Sequence, residues 1–565
     1  MDKRVVVFLV LSLAIILGFD LLMRQMGWIP EPPPPQDGSA PGSLSQQGPT
    51  PAPLTGKDNS STGPSVPSQS GQMPGAPSSP ISPSTSEQTI TIETDLVRVE
   101  LSNRGGVIRS WELKRYHTSP PESKPVQLVY HEGKFKGPLS LTVTNADLDR
   151  TIRESFYTIE KDFTKLDAAH PVGHVTMQFH DSVNHVGVEK RLTFHHDSYM
   201  VDVSVAVDGV TEPYDVGLGT NFGIVEWGDG FIGVIGSASR VDDKIEKETP
   251  EKELERKGAV QWVALQDKYF LSVLMPKGAA SALAKTEGEK IVSAGVRMAG
   301  AGAPTSVALQ LYAGPKEYDT LRSLNVGLED MIDFGWFIFG SWTVVKSVAK
   351  PIFYVLRFIN DYTHNYGVTI ILLTLGIKLL FVPLQYKSYK SMKMMKLIQP
   401  KIVAVQEKYK GDRDRLNKEL MKLYREQKVN PLGSFLPMFL QMPVFIALFN
   451  VLYMTIDLRQ APFMLWVTDL SLQDPYYVLP VLMGITMFIQ QKITPTTMDP
   501  AQAKIMLILP VGLTFLFVNF PAGLVLYWLT NNVLTIAQQV VTDRFFLHNK
   551  ALAPAGAEQS GSTTA

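Results

Sequence analysis

The chain has 565 residues, too many for one hydrophobic core, and its formal net charge of −1 hides a segregated distribution of acids and bases. Cysteine is absent, which removes disulfides, thiolate metal sites and cysteine nucleophiles. A mean hydropathy of +0.03 with long apolar runs indicates a chain that is part soluble and part membrane-embedded.

Asp2-Lys3-Arg4 precedes an apolar run over 5–23, broken only by Ser12 and Asp20. A cleaved secretory signal has a shorter apolar core and a small-x-small site, which Gly18-Phe19-Asp20-Leu21-Leu22-Met23 does not offer. Residues 1–28 therefore read as a transmembrane signal anchor. Lys3 and Arg4 hold its N-terminus in the cytoplasm, and the chain beyond is exported. Residues 29–86 are almost entirely Pro, Gly, Ser, Gln and Thr, too poor in apolar side chains to fold, and read as a disordered tether.

From Thr89 the texture changes to alternation with period two, over 89–93, 96–101, 139–144, 175–179 and 199–207. Asn103-Arg-Gly-Gly106 and Asp208-Gly209 supply turns, and further strands are expected over 260–275 and 305–313. Residues 87–315 thus predict one large antiparallel β-sandwich. Eight of the ten histidines fall here, but His195 and His196 are adjacent on a strand and point to opposite faces, so they cannot share an ion. His131-Glu132 lacks the second histidine of a zinc-protease helix, and no Gly-x-Ser-x-Gly elbow occurs. The histidines read as surface residues, while a carbohydrate or peptide groove on the sandwich stays open.

Residues 316–362 read as connecting and interfacial helices: a polar helix over 317–329, then an aromatic stretch interrupted by Lys346, Lys350-Pro351 and Arg357 that suits the outer membrane surface. The run over 366–386 is long enough to cross a bilayer, yet holds Lys378, with Thr374 one helical turn before it on the same face. A cation there costs about 2.5–3.5 kcal/mol on an insertion scale. Two readings follow: a lysine snorkelling to the inner headgroups, or a polar cavity inside the membrane that something enters.

Residues 387–428 then carry thirteen Lys or Arg against five acids, which places this loop in the cytoplasm. Ile402, Val405 and Tyr409, and then Leu416, Leu420 and Leu423, fall at helical spacings on either side of Gly411-Asp412, predicting a helical hairpin over 387–430 with a thin apolar seam. Its basic surface, including Lys401, Lys408, Lys410, Arg413, Arg415, Lys418 and Lys422, is either a solvated charged exterior or a docking arm for acidic partners, ribosomal RNA or anionic lipid. Further spans are expected over 435–453 with Gln441 inside, 476–489, 505–519, and 524–541 with Asn531, Asn532, Thr535, Gln538 and Gln539, leaving the C-terminal tail 549–565 cytoplasmic. Two of these have apolar stretches giving roughly 22 Å of helix against a hydrocarbon core of about 30 Å, a mismatch that thins the bilayer.

The basic stretch followed by Asn430-Pro-Leu-Gly433, Leu440-Gln-Met-Pro-Val-Phe445, Leu458-Arg-Gln-Ala-Pro-Phe463, Gln473-Asp-Pro-Tyr-Tyr477, Leu479-Pro-Val-Leu-Met-Gly484, Pro495-Thr-Thr497 and Phe520-Pro-Ala-Gly-Leu-Val-Leu-Tyr527 resembles the YidC family of membrane protein insertases. The resemblance covers roughly residues 334–544, and the anchor, tether and β region are similar to the Gram-negative form. It implies a multi-domain membrane protein: an α-helical bundle core over 363–548, with five transmembrane helices in the conserved core and six in total, plus an all-β periplasmic supersandwich. It also implies a hydrophilic groove open to the cytoplasm and inner leaflet, action alone or beside the Sec translocon, nascent membrane proteins as substrates, ribosome contact, and no cofactor, no metal and no DNA partner. By this comparison Lys378, five positions before Pro383, is the groove cation where relatives usually carry arginine, and Thr374, Gln441, Asn532 and Thr535 are groove positions. The tail lacks the lysine-rich ending through which family members often contact ribosomes. The alternative is a multi-pass solute transporter with a periplasmic binding domain, a class that commonly shows internal repeats, of which this chain has none. An envelope enzyme comes third, for want of a catalytic constellation.

Overall fold

The computed structural model describes residues 86–118, 123–130, 136–225, 235–247, 250–300, 305–332, 334, 343–409, 411–427, 436–494 and 506–547. The expected anchor, nearly all of the tether, and the tail lie outside these residues.

Among the described residues the alternating region forms three sheets in which every strand pairing is antiparallel. The largest has nine strands, in the order Lys244–Lys247, Gly236–Val241, Val260–Gln266, Phe270–Pro276, Thr305–Pro315, Met200–Asp208, Val186–His195, Val172–Asp181, Thr158–Lys161. A five-stranded sheet runs Leu254–Arg256, Ser281–Gly288, Ile291–Met298, Tyr214–Thr220, Leu141–Val143, and a four-stranded one takes the first four strands in chain order. The period-two rule is visible in Met200–Asp208, where Val201, Val203, Val205 and Val207 are buried and Asp202 and Ser204 stand on the other face. Trp111 of the four-stranded sheet packs against Phe194 of the nine-stranded one, ring centroids 6.5 Å apart, so these two sheets share a core.

Three local differences from the sequence reading have physical causes. The run 260–275 is two strands, because the Asp267 carboxylate accepts from Tyr269 N and Phe270 N at 2.8 and 2.7 Å and turns the chain between them. A helix not read from the sequence, α1 (Ala146–Glu154), is started by Asn145, whose side chain accepts from Asp147 N and Leu148 N. The polar helix expected over 317–329 is only α2 (Tyr318–Ser323) and a 3₁₀ turn, Leu328–Met331, since Asn325 and Gly327 take left-handed φ of 53° and 71° that a helix cannot contain.

After the sheets come α3 (Thr343–Thr363), α4 (Tyr366–Lys408), a turn, α5 (Arg413–Glu426), α6 (Leu436–Met454), α7 (Val478–Ile493), α8 (Leu509–Phe517) and α9 (Ala522–Val541). The 43 residues of α4 pass through Pro383 and Pro400 without a break, so the run expected to end at 386 is continuous with the first arm of the hairpin. At 1.5 Å per residue it is about 64 Å long, about twice a hydrocarbon core, and among the described residues it is the helix long and apolar enough to cross a membrane. Conversely, α8 is shorter than the run expected over 505–519: Pro510 sits in its first turn, where its missing N–H is not needed. α9 packs against both α4 and α7, α7 also against α8, and α3 lies across α4 and α6.

Lys190 is the least expected core residue of the β region, with 0% of its surface exposed. Its ammonium donates to the carbonyls of Gly105, Gly106 and Leu139 at 2.9, 2.8 and 2.9 Å, above the Tyr157 ring. Gly105 and Gly106 both have positive φ, and a Cβ on Gly105 would stand 2.7 Å from the Arg153 carbonyl, so the turn that presents these oxygens requires glycine. Burial pushes the Lys190 ammonium down to about 7. Below that pH both folded and unfolded chains hold the proton; from there up to an ordinary lysine value of about 10.4, the unfolded chain alone holds it. The folded β region therefore gains stability as pH rises from 7 to 9. Lys190→Met, which leaves three carbonyls unsatisfied, is expected to cost about 3 kcal/mol and to abolish that slope. Hydrogen exchange of the strand amides in the full chain measures both, and a variant that keeps the slope would contradict the assignment.

Candidate functional site

The polar side chains of the apolar helices meet around α9. Because successive helical residues differ by about 100°, Asn531 and Thr535 share one face of α9 while Asn532 and Gln539 share another. The first face looks to α4 and α6. Lys378, 7% exposed, donates from Nζ to Thr535 Oγ1 at 2.9 Å; Thr535 in turn donates to the Asn531 carbonyl at 2.6 Å. Gln441 Nε2 of α6 donates to Asn531 Oδ1 at 3.3 Å. Lys378, Thr535, Asn531 and Gln441 are thus linked across three helices. Among the described residues Lys378 makes no ion pair, and its partner is a neutral hydroxyl. An ammonium has three N–H donors, and this hydroxyl takes one of them.

The second face binds α9 to α7: Asn532 Nδ2 approaches the Met483 carbonyl and Thr486 Oγ1 at 3.5 and 3.4 Å, and Gln539 Nε2 reaches Thr494 Oγ1 at 3.0 Å. Thr374 lies one turn from Lys378, yet its hydroxyl donates to the Ile370 carbonyl of its own helix at 2.6 Å. Of the five residues expected in the groove, the structure brings Lys378, Thr535 and Gln441 together, the last through Asn531. Asn532 is placed on the α7 side, and Thr374 beside Lys378 without a bond to it. Asn531 was visible in the sequence only as one polar residue among several, since its i, i+4 spacing to Thr535 is shared by Gln539.

The end of the bundle opposite the hairpin is closed by residues 456–477. Helices α4, α7 and α9 all begin there, and each leaves first-turn N–H groups without intrahelical partners. This one segment accepts from α7 and α9 directly and holds the residue that caps α4. Asp474, with 0% exposure, accepts from Leu479 N of α7 at 2.7 Å, Tyr476 N at 3.0 Å and Trp466 Nε1 at 3.0 Å. The Leu472 and Leu470 carbonyls accept from Ala522 N and Gly523 N of α9 at 2.7 and 2.9 Å. Asn365 caps α4 through Val368 N and donates to the Phe463 carbonyl at 2.8 Å. The β region fastens to the same segment: Arg459 and Gln460 both donate to the His117 carbonyl, at 3.0 and 2.9 Å.

At the other end, α4 and α5 form the hairpin, with Met395 and Ile398 buried against Tyr424. Lys401, Lys408, Arg415, Lys418 and Lys422 are exposed; Arg413 opens α5, but its side chain and all of Lys410 lie outside the described residues.

Residues 89–355 match the family model described as YidC periplasmic domain, and residues 358–550 match the one described as 60Kd inner membrane protein. The chain is 38% identical over 565 residues to Membrane protein insertase YidC of Geotalea uraniireducens, covering 96% of this chain and 99% of that one. It is 35% identical over 553 residues to the protein of the same name from Syntrophus aciditrophicus, covering 95% and 99% respectively. A solved chain titled as an active YidC insertase crystal structure with the first transmembrane domain resolved is similar over 83% of this chain and 95% of that one, at 20% identity and a TM-score of 0.35.

The capping role of Asp474 is testable on its own. Asp474→Ala removes three bonds to a buried carboxylate, at a cost of about 2–3 kcal/mol. Hydrogen exchange is expected to accelerate at Tyr476 and Leu479, and Trp466 fluorescence to shift to the red as its indole meets water. Unchanged exchange at Leu479 would remove the carboxylate from the list of what holds this end shut.

Proposed function

This chain belongs to the YidC family of membrane protein insertases, and from that premise we propose how its own residues carry out insertion. It is a membrane protein insertase of the inner membrane, and its substrates are membrane proteins. In the reading we favour, the polar seam of Lys378, Thr535, Asn531 and Gln441 is the wall of a cleft that receives the hydrophilic tail of a substrate. The apolar segment of the substrate then leaves sideways into lipid. No covalent step is involved; partitioning of that segment supplies the free energy, roughly 0.3–0.6 kcal/mol per central Leu, Ile, Phe or Val.

The observation that carries this reading is the placement of Lys378, a buried cation bonded to a hydroxyl instead of a carboxylate, between the closed end of the bundle and the hairpin. An anionic group entering from the hairpin end would find an unpaired charge, and the capped end would stop it from passing straight through. Thr374 and Asn532 then serve as flanking cleft positions, the first one turn from the cation and the second where α7 meets α9. The shortness of α7 and α8, about 24 and 14 Å, supports a locally thinned bilayer beside the cleft.

We place the N- and C-termini and the basic hairpin in the cytoplasm, the β region in the periplasm, and six spans in all, five of them in the core, on the charge distribution described above. The exposed lysines and arginines of the hairpin are then a docking face for acidic partners, the ribosome included, and the protein works alone or beside the Sec translocon.

The test crosses Lys378 variants with substrate tails in a reconstituted insertion assay. Lys378→Arg should insert acidic-tailed substrates at least as well as the native chain, because the guanidinium stays charged and offers a fork. Lys378→Ala should slow them about tenfold, and Lys378→Glu further, while neutral-tailed substrates change by less than about twofold. Equal losses for both tails would mean that Lys378 is structural.

A further inference from the structure

Beyond Val541 the chain continues over Thr542–Leu547 with the wider i→i+5 repeat of a π-helix, an irregularity that in other helices often marks a functional position. In its first turn Asp543 uses both carboxylate oxygens. Tyr389 Oη donates to Oδ2 at 2.7 Å, and Lys393 Nζ donates to Oδ1 at 2.6 Å. Tyr389 and Lys393 are four residues apart on α4, so one face of that helix grips a single carboxylate.

The position of this contact matters more than its strength. It lies eleven residues beyond Lys378 on α4 and eight beyond Thr535 on the α9 side, or about 16 and 12 Å of helix. The same two segments therefore touch twice along one edge: at the Lys378–Thr535 bond, and again where α4 departs as the hairpin arm. Past Lys393 the arm runs on to Lys408 and packs on α5 through Met395 and Ile398. Whatever sets the angle between α4 and α9 at Asp543 sets how far the arm stands over the hairpin end of the cleft.

Burial distinguishes this contact from the Asp474 cap. Asp474 is wholly buried; at Asp543 the Tyr389 partner is buried as well, but the Lys393 and Asp543 side chains are 41% and 39% exposed. Water can replace the partners of a half-exposed pair at little cost, so such a pair opens and recloses where a buried one does not. One end of the bundle is thus fastened permanently and the other by a bond that can be released.

We propose that Asp543 is a positioning residue, a reversible latch that joins the last helix to the hairpin arm through Tyr389 and Lys393 and narrows the hairpin end of the cleft until a substrate segment displaces it. The proposal deepens the cleft reading and rests on it, but its test needs no substrate, so the two can fail separately.

The chain has no cysteine, which allows clean site-directed spin labelling. Glu407→Cys near the tip of the arm and Lys492→Cys at the end of α7 place labels at two exposed positions of the full chain, reconstituted in nanodiscs of phosphatidylethanolamine and phosphatidylglycerol. With Asp543 present, pulsed electron resonance should give one narrow distance distribution. Asp543→Ala should broaden it and raise the long-distance population about tenfold; Asp543→Asn and Lys393→Met should each give a smaller change in the same direction. Exchanging the charges, Asp543→Lys with Lys393→Asp, should restore the narrow distribution, which a merely structural role does not predict. Distributions unchanged by all three single substitutions, or a charge exchange that leaves the arm as broad as Asp543→Ala, would overturn the latch.

Discussion

Every helix that starts within or at the edge of a bilayer must find partners for its first N–H groups, because lipid offers none. In this protein one segment, residues 456–477, meets that demand for α7 and α9 and holds Asn365, the residue that caps α4, with Asp474 as its buried centre. The rest of the helical arrangement follows from this. Three helix starts gathered under one loop fix the mutual spacing of α4, α7 and α9, and that spacing brings Lys378 within 2.9 Å of Thr535. A chain whose loops capped each helix separately would leave those distances free to vary.

The same fastening creates an asymmetry. At the capped end, backbone and carboxylate bonds are buried, and the β region adds a grip on Arg459 and Gln460. At the hairpin end α4 and the chain beyond α9 are joined through Asp543, where a half-exposed ion pair with Lys393 stands beside a hydrogen bond from Tyr389. In the proposed reading, a bundle shut at one end and more loosely held at the other is the physical basis for one-sided entry. α9 is the post of this arrangement. Its two polar faces are assigned to different tasks: Asn532 and Gln539 hold α7, while Asn531 and Thr535 line the seam where the cation sits.

The β region obeys different physics. Its strands bury alternate side chains, and it tolerates a lysine in its core because two carbonyls of a glycine-dependent turn and the Leu139 carbonyl converge on the ammonium. Lys190 and Lys378 are both buried cations without a carboxylate, but they are satisfied differently. Lys190 has three acceptors and nothing left to offer; Lys378 has one.

Much was legible in the sequence, for identifiable reasons. Period-two alternation located the strands at 89–93 and 200–208 to within a residue or so, since alternation is what a half-buried sheet demands. Apolar run length, the basic stretch and Lys378 pointed to helices and to a polar point within them, because the cost of a charge in hydrocarbon does not depend on the partners it later finds. The ordered short motifs carried the family. What the sequence could not decide was which polar residues meet. Asn531 and Asn532 are neighbours in the chain, and only the packing of α9 between α4 and α7 sends one to the seam and the other to α7. Neither the union of Asp543 with Tyr389 and Lys393, some 150 residues distant, nor the joint fastening of three helix starts by residues 456–477 leaves a local trace, because spacing along the chain holds no record of contacts made between helices. The extent of α4 through two prolines was likewise settled against local propensity, whereas the break at Asn325 and Gly327 follows the ease with which those residues take left-handed φ.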